Sequence, residues 1–205
     1  MKNFIQISDT EEEQVDKIKK WWNSNGKQII AGAVIGLAGV FGWNYYNDYQ
    51  DNQALNARTL YLNYASDSNN VGAYNKLIKE HPSSSYADQA TLLMAKYLFD
   101  AGSYSLALDA IKPLISNQSN IISSTAVLRV ASIYLQLGQH NEALSTLNIE
   151  SGEEFSGLIY NLTGDVYLDL GNSDEAKKYY LLAIENITEN SNLTQLIQIK
   201  LDDLN

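Results

Sequence analysis

The chain has 205 residues, 14 Lys and Arg against 24 Asp and Glu, and a formal net charge of -10. Such an acidic balance excludes a nucleic-acid binder of the usual kind, which needs a basic footprint to displace counterions. The absence of Cys excludes disulfides, thiol nucleophiles and Cys-based metal sites, and two His, His81 and His140, are too few and too far apart for a His-rich one. Two Pro in a chain rich in Leu and Ala predict an all-α protein. The charge is unevenly placed. Residues 1–27 balance five Lys with five acids, residues 28–47 carry none, and residues 48–205 hold nine basic against nineteen acidic side chains.

Three parts follow from that division: a cytoplasmic amphipathic segment at 1–27, a transmembrane helix at 28–47 and a repeat domain at 48–205. In the first, Thr10 and Glu13 have capping-box spacing, and Val15, Ile18 and Trp22 share one helical face. The expectation is a short helix over Thr10–Ser24, stopped by Gly26, lying on the membrane surface or docking on a membrane partner. The second, QIIAGAVIGLAGVFGWNYYN, would form a helix about 30 Å long, matching a bilayer's hydrocarbon core. Its strictly apolar part is short enough for a buried core helix. Trp21 and Trp22 on one side, and Trp43, Tyr45, Tyr46 and Tyr49 on the other, instead suit the two headgroup zones. A cleaved signal peptide fits less well, because 27 residues with an acidic run precede the segment and bulky aromatics follow it.

Lys17, Lys19, Lys20 and Lys27 lie before the span, and only Arg58 lies close after it. The positive-inside rule therefore predicts a cytoplasmic N-terminus and an exported C-terminal domain. Gly32, Gly36 and Gly39 line one face and are candidates for pairing with another membrane helix; glycine is also simply common in such helices.

Beyond the span the chain repeats itself. Gly164, Tyr167, Gly171, Ala176, Tyr180 and Ala183 have tetratricopeptide (TPR) spacing. Thirty-three residues earlier stand Ala131, Tyr134, Gly138, Ala143 and Leu147, and 36 earlier again Ala95, Leu98, Gly102, Ala107 and Ile111. Each unit predicts two helices crossing at small residues, with a glycine in the left-handed region ending the first. Asn172 with Glu175 reads as a cap for the second helix of the last unit. A degenerate pair at Gln50–Tyr64 and Gly72–Glu80, split by the loop Asp67–Asn70, precedes the repeats. Pro82 and Ser83–Ser85 separate it from them. Leu193–Leu204 reads as an amphipathic helix capping the end of this α-solenoid.

No P-loop, GxSxG, HExxH, Rossmann glycine pattern or EF-hand loop occurs. Glu153 and Glu154 are neighbours and so point apart. His81 suits a helix end, and His140 an inter-helix turn. The Asn-x-Ser/Thr sites at Asn117, Asn161, Asn186 and Asn192 are chance products of an Asn-rich chain. The expectation is a non-enzyme without cofactor or metal. Its candidate protein-binding groove lies on the exposed side of the first helices: Leu92, Lys96, Phe99, Leu128, Ser132, Leu135, Asn161, Asp165 and Leu168. Only Lys96 and Asn161 suit a clamp for a C-terminal carboxylate, so an apolar polypeptide is the better occupant.

Three stretches carry a resemblance over essentially the whole chain: KKWWNSNGKQII before the span, GWNYYNDYQ after it, and the closing QIKLDDL. Together with degenerate TPRs they resemble the YfgM-like family, the TPR-containing ancillary subunit of the SecYEG translocon of Gram-negative bacteria. The resemblance implies an inner-membrane protein with a periplasmic TPR domain. It also implies association with the SecYEG translocon and with the membrane-anchored periplasmic chaperone PpiD, and a role in helping chaperones receive newly exported, unfolded proteins. The residues alone leave open a TPR scaffold for envelope assembly or cell division, and they leave self-association undecided.

Overall fold

A computed structural model describes residues 11–115, 120–187 and 192–204, all helix and connecting turn, with no strand among them. Thr10 of the expected capping box and the Asn117 site lie outside the described residues. The chain divides into two compact units, residues 1–55 and 56–205.

The first unit is built from α1 (Glu11–Ser66), whose last turns belong to the second unit. Acids at Glu11, Glu12 and Glu13 sit in its first turn, where they complement the helix dipole. Gly26 does not stop this helix, contrary to the sequence expectation. It lies mid-helix beneath the indole of Trp22, and an added Cβ would come within 3.1 Å of that ring. Between the basic flank and Tyr49 the helix runs unbroken, so no separate Thr10–Ser24 helix exists. Among the described residues α1 is the one helix long and apolar enough to cross a membrane, and none of its most apolar window is buried. An uncovered Ile35, Phe41 and Trp43 would be costly in water and suit hydrocarbon.

The second unit opens with a helix pair. The end of α1 meets α2 (Val71–Glu80) and α3 (Ser85–Asp100) over a core of Ala57, Tyr64, Ala73, Leu77, Ala87 and Ala90. Tyr64 is fully buried; its hydroxyl reaches Met94 Sδ at 3.6 Å, and its ring lies 5.4 Å from that of Tyr74. Burial, then the neighbouring Tyr74 and Tyr97, raise its pKa. Asn70 caps α2 by accepting from Ala73 N, and Ser84 caps α3 by accepting from Tyr86 N.

Three helix pairs follow: α3 with α4 (Tyr104–Ile111), α5 (Ile121–Gln136) with α6 (His140–Leu147), and α7 (Ser156–Asp169) with α8 (Ser173–Glu185). Each first helix ends in the same way. Gly102, Gly138 and Gly171 have φ of 74°, 68° and 74°, the left-handed region that a side chain resists. The following residue donates its N–H five positions back: Ser103 to Leu98 O, Gln139 to Tyr134 O and Asn172 to Tyr167 O. This is the Schellman arrangement, and it satisfies carbonyls left open at the helix end. Asn172 then caps α8 by accepting from Glu175 N, as its spacing predicts.

The crossings are as small as the repeat demands. Ala95, Ala107, Ala131, Ala143 and Ala176 are buried, and an added Cβ on Gly164 would come 2.5 Å from the Tyr180 ring. The terminal helix α9 (Asn192–Asp202) closes the stack by laying Ile197 and Leu201 on Ala176, Tyr180 and Ala183. Thirty-four residues beyond Gly164, where a further repeat would need a small residue, α9 carries Gln198. Gln198 is exposed and donates to Asp202 at 3.0 Å, so α9 leaves a polar residue where a further repeat would need a small one.

Deleting residues 192–205 should strip cover from Tyr180 and Ala183. Losing two buried aliphatic side chains should lower the melting midpoint by roughly 5–10 °C in a circular-dichroism scan. An unchanged midpoint would show that α9 is not a cap.

Gly164→Ala should destabilise the second unit by about 1–3 kcal/mol in chemical denaturation, through overpacking against Tyr180. Gly72→Ala, whose added Cβ meets nothing closer than 3.7 Å, serves as the reference.

Candidate functional site

The first helices α3, α5 and α7 bring the sequence-derived groove residues onto neighbouring elements, but not as one open surface. Between α3 and α5 lies a cleft of about 330 Å3, lined by Ala95, Lys96, Phe99, Asp100, Arg129, Ser132 and Ile133. Lys96, Phe99 and Ser132 are thus placed together as expected. Phe99 is half-buried, with its ring edge-on to Tyr104 at 5.1 Å. Lys96 pairs with Asp100 at 2.5 Å, both exposed at the rim. Ser132 donates to Leu128 O at 2.9 Å, so its hydroxyl proton is committed to its own helix. Leu128 and Leu135 are half-buried against the same core as Phe99.

Three of the expected groove residues need correction. Leu92 is buried to 8% exposure and forms part of the core, because α5 packs directly over it. Asn161 and Asp165 are engaged from within the chain by α9. Lys200 Nζ donates to Asn161 Oδ1 at 3.1 Å and to Asp165 Oδ1 at 2.5 Å. The same Asp165 oxygen accepts from Tyr180 at 2.7 Å, and Lys200 sits 5.3 Å from the Tyr180 ring centre. The result is a part-buried bond network tying the cap to the last repeat. Burial first, then the hydrogen bond to Asp165 and its charge, push the Tyr180 hydroxyl far above the usual tyrosine range. Of the three groove candidates on α7, Leu168 stands clear, 41% exposed.

Two contributions were not identified from the sequence. Arg129 enters the α3–α5 cleft and donates from Nη1 to Leu92 O at 2.5 Å. Its position, one residue past Leu128 in the repeat, was the available signal. His140 begins α6, and its Nε2 lies 2.6 Å from Asp169 Oδ2 at the end of α7, so a residue expected in a turn joins two successive repeats. Gly32, Gly36 and Gly39 have nothing within 4 Å of an added Cβ, so that stripe of α1 is open. No group of His, Cys, Asp or Glu among the described residues is arranged to hold a metal ion. The site can hold a polypeptide by shape, apolar contact and a few charges.

The fold and groove define a tetratricopeptide repeat protein. The family model of the tetratricopeptide repeat-like domain matches residues 19–205. A tetratricopeptide repeat protein from Parabacteroides merdae shares the fold at a TM-score of 0.55 and 17% identity, over 73% of this chain and 60% of that one. Closer sequence kinship narrows the class. The ancillary SecYEG translocon subunit of Aggregatibacter actinomycetemcomitans is 36% identical over 95% of this chain and 97% of its own. That of Haemophilus influenzae is 30% identical with the same coverage. The chain belongs to the family of ancillary SecYEG translocon subunits, as its flanking motifs predicted.

The Asp165–Tyr180–Lys200 network predicts an alkaline effect of fixed sign. A tyrosine whose folded pKa is raised contributes stability that is full below its unfolded pKa of 10.0 and is lost as pH rises beyond it. Tyr180→Phe should cost about 1 kcal/mol at pH 7 and flatten the fall in stability above pH 10. An equally steep fall in Tyr180→Phe would show that this hydroxyl does not carry the effect.

Proposed function

We propose that the protein is a non-enzymatic, membrane-anchored adaptor of the SecYEG translocon. Residues 28–47 cross the inner membrane with the N-terminus in the cytoplasm, and residues 48–205 stand in the periplasm. There the groove receives apolar segments of newly exported proteins or of a membrane-anchored chaperone such as PpiD, and passes clients between them. The observation that carries this reading is the near-full-length kinship with proteins named for the translocon, extending through both α1 and the repeats. Two features support it. The uncovered apolar stretch of α1 has four Lys before it and only Arg58 close after it, which is the asymmetry of a helix with its N-terminus inside. The α3–α5 cleft presents Phe99, Ala95 and Ile133 as apolar wall in an otherwise acidic domain. That acidity repels anionic lipid headgroups, so α1 supplies the location and the repeats the recognition.

Protease added to spheroplasts should remove the repeat domain and leave a small membrane-protected N-terminal fragment; a fully protected domain would overturn the orientation. Photo-crosslinking from position 96, at the exposed rim of the cleft, should trap translocon subunits, a periplasmic chaperone or a nascent exported chain. Phe99→Ala should reduce that capture at least tenfold, since loss of a central aromatic anchor commonly costs about 2 kcal/mol or more. Undiminished capture by a variant with a native helical melt would remove the groove from the mechanism.

A further inference from the structure

The α3–α5 cleft carries a more specific chemistry than an apolar wall. Arg129 lines it from α5 together with Phe99 and Ile133 and is half-buried. A guanidinium has five N–H donors. Among the described residues Arg129 uses one bond, to the main-chain oxygen of Leu92, and forms no ion pair. The acid nearest in the cleft, Asp100, is already paired with Lys96 at 2.5 Å. Burial therefore pulls the Arg129 pKa down, and Asp100 offsets this only as the smaller influence. A partly desolvated cation without an ion-pair partner is costly, and a carboxylate in bidentate geometry is its best complement. The local balance is two cations to one acid, in a domain where acids outnumber bases nineteen to nine. Ser132 spends its proton on Leu128 O, leaving Arg129 and Lys96 as the donors.

We propose that this cleft recognises an internal acidic side chain, Asp or Glu, flanked by apolar side chains in a bound polypeptide. The carboxylate accepts from Arg129 while the apolar neighbours pack on Phe99. An internal residue is favoured over a chain terminus because a clamp for a terminal carboxylate needs several cationic and amide side chains, and beside Arg129 the cleft offers only Lys96, already paired with Asp100. Asn161, the other residue suited to a terminal carboxylate, is held by Lys200. This inference rests on the groove reading proposed above and adds the ligand's charge to it.

The test uses the full-length protein in detergent micelles and fluorescein-labelled, C-terminally amidated ten-residue peptides with a central Leu-Glu-Leu or Leu-Gln-Leu. On the unaltered protein the Glu peptide should bind roughly tenfold more tightly than its Gln twin, the scale of one charge-assisted contact. The advantage should shrink as salt rises. Arg129→Gln should erase the difference, and Arg129→Lys should keep part of it. Equal binding of the two peptides would overturn the proposal. So would recovery of tight binding by a Leu-Gln-Leu peptide with a free C-terminal carboxylate, which would identify a terminus-binding site instead. The peptide comparison needs no altered protein, so a folding defect in an Arg129 variant cannot imitate either result. Equal binding of both peptides that Phe99→Ala still weakens would reject the charge recognition alone. Binding of both that ignores Phe99→Ala would reject the groove itself.

Discussion

The repeat domain depends on how closely two helices approach within each pair. Ala95 with Ala107, Ala131 with Ala143, and Gly164 with Ala176 set that distance, and there is no slack in it: a single Cβ on Gly164 would meet the Tyr180 ring at 2.5 Å. Close crossing lets the seam residues Leu98, Tyr134 and Tyr167 fill the space between helices, and it lets the three left-handed glycines turn the chain back at the same angle. A solenoid is a sum of such units and their nearest-neighbour interfaces. The spacing within one pair is therefore what allows the next pair to dock.

The two ends of that stack are treated differently. At the start, the last turns of α1 supply a helix that covers α2 and α3, so the same helix that carries the uncovered apolar stretch also contributes Ala57 and Tyr64 to the first core. At the finish, α9 buries only one face, through Ile197 and Leu201, and turns Gln198 and Asp202 to water. Lys200 fastens it by reaching across to Asn161 and Asp165. Fastening the cap uses polar side chains that would otherwise line the groove. The cleft that stays open lies between α3 and α5, where Phe99, Arg129 and Lys96 converge.

This division suits a protein whose location and recognition are separate tasks. The charge-free stretch of α1 is uncovered along its length, as a segment dissolved in lipid must be, with backbone bonds satisfied inside the helix. The acidic repeats would be repelled by an anionic membrane, and one cation in them departs from their own charge. Arg129 is that exception: a half-buried cation in a domain dominated by acids.

Much of this was legible in the amino-acid order because local rules dictate it. The spacing of Gly102, Gly138 and Gly171 behind the small residues gave the helix pairs, since only glycine takes those turn angles readily. The charge-free run between aromatic residues marked the uncovered apolar stretch of α1, and the Asn172 cap followed from Glu175 three residues on. Gly26 misled, because glycine is a helix stop only where tertiary or solvent forces favour ending the helix; here Trp22 folds over it and the helix continues. The site was legible in outline only. Periodicity placed Lys96, Phe99 and Ser132 on one face, but it could not tell that α5 would bury Leu92 or that Lys200, 39 residues from Asn161, would claim two groove positions. Nor could it show that Arg129 turns inward. Those outcomes depend on which helices meet and at what distance. That is decided by packing between residues remote in sequence, where no local spacing rule operates.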